Sequence, residues 1–218
     1  MTSLTTYVPL LMQGALMTIV TAIISGTMSV TLGTVLGIAS CRYGDAPLLA
    51  MLVRIYTFIA KGIPAYVQIL IAYFVIPAAC GISISGFVAG CGALAFCSSG
   101  YVTEIVRAGI NAVSPGQWDA CMVLGYTRYA AFVRIVLPQA YAAMLPALIG
   151  EGEQLLKSTS LLATIGMNEL TRAGMNIISR ELNPLPVYGL IALLYLFFSL
   201  CLSLLVRFVI ARRINGNR

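Results

Sequence analysis

Lys61, Glu104, Glu151, Glu153 and Lys157 are ionisable residues set in or beside long apolar runs. Charges in such surroundings are costly, and they mark an ion or substrate pathway or they pair with one another. Other chemistry falls away quickly. The chain has no histidine, which removes His-based nucleophilic triads and His-ligated metal sites. The stretch Gly150-Glu151-Gly152-Glu153-Gln154-Leu155-Leu156-Lys157-Ser158 resembles a phosphate loop only superficially. It lacks the glycine before its lysine, and its two acids would repel phosphate. The cysteines at 41, 80, 91, 97, 121 and 201 are scattered with no Cys-x-x-Cys pair, and they read as small apolar fillers.

Spacing constrains the charged groups further. Glu153 and Lys157 are four apart, so on a helix they share a face and can pair. Glu151 lies about 200° around the same helix from Glu153, so one partner cannot easily serve both acids. An acid is then left for a ligand, a neighbouring subunit or water. Thr159 and Ser160 offer hydroxyls to a substrate, although Ser and Thr in membrane helices more often bond their own backbone.

The elements that must hold these residues are membrane spans. Hydrophobic residues make up 60% of the 218-residue chain and charged residues 9%, against about 25% charged in a soluble domain. A span needs about 20 apolar residues. Five all-helical spans fit, near residues 12–40, 50–78, 87–108, 138–163 and 186–207. Nothing from Met1 to Ser40 is charged, and that run is too long for a signal sequence and lacks its basic start, so it reads as a retained first span. Pro64 reads as a kink in the second. Gly33 with Gly37, and Gly86 with Gly90, suit close helix packing. The whole chain, 1–218, reads as one transmembrane domain.

Orientation follows from the basic residues. Arg42, Arg54, Arg107, Arg128, Arg134, Arg207, Arg212, Arg213 and Arg218 fall on one side, while Arg172 and Arg180 fall on the other, balanced by Glu169 and Glu181. The positive-inside rule therefore places the N-terminus outside and the C-terminus in the cytoplasm. The net charge of +6 is this bias plus contact with anionic lipid, and calls for no nucleic acid. An odd span count also excludes two equal inverted halves.

Between the third and fourth spans, about 111–137, lies a cytoplasmic loop with its own punctuation. Ser114-Pro115-Gly116-Gln117 reads as a helix start, with Ser114 and Gln117 suited to capping and Pro115 to the first helical position. A short helix to about Leu124, a turn at Gly125 and a second helical piece from Thr127 toward Ile135 would make a rigid knob at the membrane surface. Pro138 is placed to begin the next span. An interfacial connector with no partner is the plain alternative.

The series Asp119-Ala120-Cys121, Gly125, Ile135, Leu137-Pro138 resembles the EAA loop of bacterial ABC importer permeases, with Asp119 in place of the usual Glu and Cys121 in place of the second Ala. Other segments are similar to the polar amino acid uptake branch of that family. Lys61-Gly62-Ile63-Pro64-Ala65-Tyr66-Val67-Gln68 looks like its R-G-T-P-x-x-V-Q. Glu104-Ile105-Val106-Arg107-Ala108-Gly109-Ile110 looks like its E-x-x-R-G-x-I, and Leu155-Leu156-Lys157-Ser158-Thr159-Ser160-Leu161 like its L-L-K-x-T-S-L. The resemblance covers about residues 55–175.

It implies the fold of a type I importer transmembrane domain in a bacterial inner membrane. It implies no cofactor in this chain, with ATP and magnesium on separate cytoplasmic ATPase subunits. The implied partners are those ATPases, a second permease copy or paralogue, and an extracytoplasmic substrate-binding protein. The Asp119–Gly125 helix would dock into the ATPase, and Lys61, Pro64, Gln68, Glu104, Glu151, Glu153, Lys157, Thr159 and Ser160 would lie along the substrate path. The family usually has Asn near 150 and apolar residues near 152 and 153, whereas this chain has Gly150, Gly152 and Glu153. The added acid points to a cationic amino acid or an opine-type derivative. An ion-driven secondary carrier using Glu104 or Glu151 is the alternative. A membrane enzyme lacks a catalytic constellation, and an exporter-type subunit usually has a fused ATPase domain, which is not seen after the last span.

Overall fold

The computed structural model describes residues 7–42 and 47–215, with side chains described as far as 205. The described elements are helical: α1 (Val8–Ala39), α2 (Pro47–Gly62), α3 (Ala65–Leu70), α4 (Ile76–Cys80), α5 (Gly86–Asn111), α6 (Pro115–Val123), α7 (Arg128–Ala131), α8 (Leu137–Ser158), α9 (Leu170–Glu181) and α10 (Pro184–Asn215). Two π-helical turns, Ile71–Val75 and Phe132–Val136, and a 3-10 turn, Thr159–Ile165, fill the joins.

Four helical runs are long and apolar enough to cross a membrane: Val8–Ala39, Gly86–Asn111, Arg128–Ile165 and Pro184–Leu205. The pair Pro47–Gly62 and Ala65–Cys80 makes a fifth when taken as one broken span. Four of the five expected spans are therefore present as single helical runs and the second only as that broken pair, with two differences from expectation. Pro64 does more than kink its span: the helix ends at Gly62 and restarts at Ala65. Pro138 does not begin the fourth span, because helix runs continuously from Arg128.

The π-turns show how that continuity is possible. Each ends two residues before a proline, Pro77 in one case and Pro138 in the other. A proline has no N–H and its ring strikes the carbonyl four residues back. Widening the preceding turn, with Ile76 N–H donating to Ile71 O and Leu137 N–H to Phe132 O, re-routes the ladder around the misfit.

α1 buries its small and polar side. Gly14, Thr18, Thr21, Ser25, Ser29, Gly33, Gly37 and Ser40 recur every three or four residues and are buried, while Met12, Leu16, Ile23, Met28, Val30, Leu32 and Val35 are exposed. A soluble helix does the reverse. In lipid there is no hydrophobic drive between helices, so small residues that let backbones approach define the packed face.

The chain packs as two units, one from Thr27–Pro64 and Ala95–Glu151, the other from residues up to Gly26, Ala65–Leu94 and Gly152 onward. In the first, Val102, Val106, Ile110, Trp118, Cys121, Val136, Ala140 and Met144 form the core. α1 meets α5 there through Gly33 and Gly37, where an added Cβ would lie 2.5 Å and 2.7 Å from the Cβ atoms of Val102 and Val106. In the second, Leu11 and Ala15 of α1 pack with Leu170, Ala173 and Ile177 of α9 and with Val187 and Ile191 of α10. A neighbouring core joins Ile69, Leu94, Leu155, Leu162 and Ile165. Of the other expected glycine pair, Gly90 makes a close approach, 2.8 Å from Leu162 Cδ2, whereas Gly86 has only ordinary contacts.

Gly37→Val is expected to lower the stability of the detergent-solubilised protein by about 1–3 kcal/mol, because a side chain must displace Val106. Gly150→Ala, at a position with nothing within 4 Å of the added carbon, should be neutral or stabilising by up to about 1 kcal/mol. Thermal unfolding of the two variants side by side reads the difference.

Candidate functional site

The loop after α5 folds as a pinned knob. Ser114 takes the N-cap position with Pro115 at the first turn, and Gln117 N–H donates to Ser114 O at 3.0 Å. The Ser114 hydroxyl makes no capping bond, so the side-chain half of the expected box is absent and the proline supplies the start. At the other end, Tyr126 N–H reaches Cys121 O (3.0 Å) and Gly125 N–H reaches Met122 O (3.1 Å), with Gly125 at φ +77°. That double closure needs a left-handed residue, which is what glycine provides. Thr127 then caps α7 by accepting from Ala130 N–H at 3.2 Å.

Trp118 and Cys121 are the buried side of α6, and the Trp118 ring stacks against Phe132 at 6.4 Å. Both belong to the core that holds α5 and the start of α8. Ile135 packs against it, Leu137 is half-buried and Pro138 is exposed. Asp119, Ala120 and Gly125 face outward. Beside them Val123 and Leu124 are 87% and 73% exposed, and Tyr129 is 78% exposed. The knob thus presents an apolar tip next to one carboxylate.

The membrane-embedded groups fall into separate clusters. On α2 and α5, Glu104 pairs with Arg107 and lies in electrostatic range of Lys61 and Thr57. The Lys61 ammonium stands 5.8 Å from the centroid of the Tyr101 ring. A second cluster is a hydroxyl relay: Ser29 Oγ donates to Ser98 Oγ at 2.9 Å, and Ser98 Oγ donates to Glu151 Oε1 at 2.6 Å. Ser29 and Ser98 are buried, so the carboxylate is held by groups with no water to bond.

Elsewhere, Gln68 is buried on α3, and Pro64 is exposed at the break before it. Glu153 is half-buried and Lys157 exposed on α8, and among the described residues they form no ion pair despite their spacing. Thr159 is fully buried and donates to Leu156 O at 2.7 Å; Ser160 donates to Lys157 O at 2.8 Å. Both hydroxyls turn back on their own helix.

Sequence reasoning missed Glu169, which it counted only with Glu181 as balancing Arg172 and Arg180. Its side chain is fully buried at the N-cap of α9. Oε1 accepts from Arg172 N–H (2.8 Å), and Oε2 accepts from Thr171 N–H (2.9 Å) and from the Tyr195 hydroxyl (2.9 Å). Burial pushes this carboxyl above the usual range, against the pull of those donors. The available signal was its place one residue before a short amphipathic helix. Trp118, the Ser29–Ser98 pair and Tyr101 gave no local signal, because their roles come from neighbours distant in sequence.

Comparison with known proteins adds an independent line. Residues 29–215 match the family described as binding-protein-dependent transport system inner membrane component. The glutamine transport system permease protein of Escherichia coli (strain K12) is 30% identical over 201 residues, 92% of this chain and 91% of that protein. The arginine transport system permease protein of Bacillus subtilis (strain 168) is 29% identical over 210 residues, 96% of this chain and 94% of that protein. A chain in the crystal structure of an amino acid ABC transporter with histidines superposes with a TM-score of 0.87 at 33% identity, over 95% of this chain and 96% of that one.

Trp118→Ala would open a cavity under α6 and is expected to cost about 3–5 kcal/mol. Limited proteolysis of the detergent-solubilised protein should show cleavage between Pro115 and Thr127 appearing well before global unfolding.

Proposed function

Since the chain belongs to the family of binding-protein-dependent transport system inner membrane components, we propose that it is the permease subunit of an ATP-driven importer bringing a polar amino acid into the cytoplasm. The observation that carries this reading is the α6 knob. A short helix closed by Gly125 and pinned by Trp118 cannot flex away from a load, and its exposed Val123, Leu124 and Asp119 offer an apolar and acidic face to a partner. That partner is a cytoplasmic ATPase subunit. Nucleotide chemistry, with its magnesium, belongs there, and this chain is no enzyme.

Asp119, Ala120, Cys121 and Gly125 form the lever, and Ile135, Leu137 and Pro138 seat it on the fourth span. Closure of the ATPases pushes the knob, and the spans exchange outward for inward access as a two-state change. The basic residues place the knob and C-terminus on the cytoplasmic side of a bacterial inner membrane, with anionic lipid around them. A second permease, identical or paralogous, completes the path, and an extracytoplasmic binding protein delivers cargo.

The family resemblance assigns the substrate path to Lys61, Pro64, Gln68, Glu104, Glu151, Glu153, Lys157 and Ser160, whereas Thr159, which it also implies, is fully buried and bonds back to Leu156 O. Glu153, without an ion-pair partner among the described residues, selects for a cationic group, so arginine-like, ornithine-like or opine-type cargo fits best. The names of the glutamine and arginine relatives support the amino acid class.

Two measurements test the proposal. In the assembled complex, Asp119→Lys or Gly125→Pro should leave membrane insertion intact while uptake falls at least about tenfold relative to ATP hydrolysed; normal uptake in both would defeat the coupling role. Glu153→Gln should reduce uptake of arginine by about tenfold and leave glutamine nearly unchanged. Equal effects on the two substrates would remove Glu153 from selection.

A further inference from the structure

Glu169 is expensive where it stands. It is fully buried, no cation pairs with it among the described residues, and a serine or aspartate would cap α9 as well. What neither shorter residue offers is reach. The glutamate spans from two amides of α9 to the Tyr195 hydroxyl on α10. Tyr195 also meets the Thr171 hydroxyl at 3.2 Å and lies within hydrogen-bond reach of the Thr159 side chain. The remaining free amide at the start of α9, Leu170 N–H, donates to Thr18 Oγ1 of α1 at 3.1 Å.

This junction sits between two cores. On one side the Thr159–Ile165 turn packs through Leu162 and Ile165, and it closes at Gly166 (φ +78°) with Met167 N–H donating to Leu162 O at 3.2 Å. On the other side α9 packs between α1 and α10 through Leu170, Ala173 and Ile177. The close approaches there, with an added Cβ at Gly14 2.9 Å from Ala173 Cβ, show that the surfaces already fit tightly. Met167 still belongs to the first core and Leu170 to the second, so only Asn168 and Glu169 lie between them, and the carboxylate braces that link. All three donors address acceptor lone pairs, so the anionic form is the one the site is built around.

We propose that Glu169 is a positioning residue for transport: through Tyr195 it makes the Thr159–Ile165 turn, α9 and α10 move as one body. The inference rests on the permease reading above. It gives the end of α8 at Lys157, and Ser160 in the turn after it, a rigid connection to the last span. Motion delivered to α8 then reaches α10 without being lost in the short link at Asn168 and Glu169.

The test uses the reconstituted complex, measuring uptake and ATP hydrolysis per assembled complex. Glu169→Asp keeps the charge and both backbone caps but withdraws one methylene from Tyr195. It should assemble at wild-type abundance and hydrolyse ATP, with uptake per ATP down about tenfold, the scale of one charge-assisted hydrogen bond. Tyr195→Phe should give a similar loss, and the double variant should be no worse than either single one. Wild-type uptake in Glu169→Asp would show that capping is the whole role and overturn the proposal. So would multiplying losses in the double variant, or a loss wholly matched by reduced assembly. Failure of the wild-type complex to transport would overturn the permease reading and this inference together, whereas a transporting wild type with an equally active Glu169→Asp overturns the inference alone.

Discussion

Inside hydrocarbon a peptide N–H or C=O has no water to bond, so each must find its partner within the protein. The local irregularities of this chain are answers to that demand. Prolines at 77 and 138 would each break the ladder, and each is preceded by a π-turn that re-routes it. Where the demand is not met within one element, the ends are closed by specific groups. Gly125 and Gly166 turn left-handed to satisfy the last carbonyls of α6 and of the 3-10 turn, while Glu169 and Thr18 take up the first amides of α9.

The same solvent inverts the usual rule for side chains. Large apolar residues on α1 point outward because lipid receives them as well as a protein core does, and the packed stripe is left to glycine, serine and threonine. Close backbone approach follows, as between Gly37 and Val106. Hydroxyls inside such contacts then hold the acids: Ser29 and Ser98 lead to Glu151, and Thr171 meets Tyr195 beside Glu169. Polar chemistry is thereby fixed by packing and not by solvation.

The α6 knob combines an exposed tip with a buried base. Its tip exposes Val123 and Leu124, which is costly in water unless a partner covers them. Its base is secured by Trp118 and Cys121 in the core of the unit to which α5 and α8 contribute.

The sequence by itself determined the class, the five apolar runs and the punctuation of the loop, because composition, hydropathy and the chemistry of Gly125 and Pro115 act locally. The family resemblance was legible for the same reason: its motifs are short and contiguous. Only tertiary structure decided that Pro64 breaks its span, that Pro138 lies within a helix, that Glu153 and Lys157 do not pair although they are four apart, and that Glu169 is buried. Each of these depends on what another element brings to the spot. The Glu169 carboxylate is stable in the interior because Tyr195, far along the chain, donates to it, and spacing along one helix carries no information about such a donor.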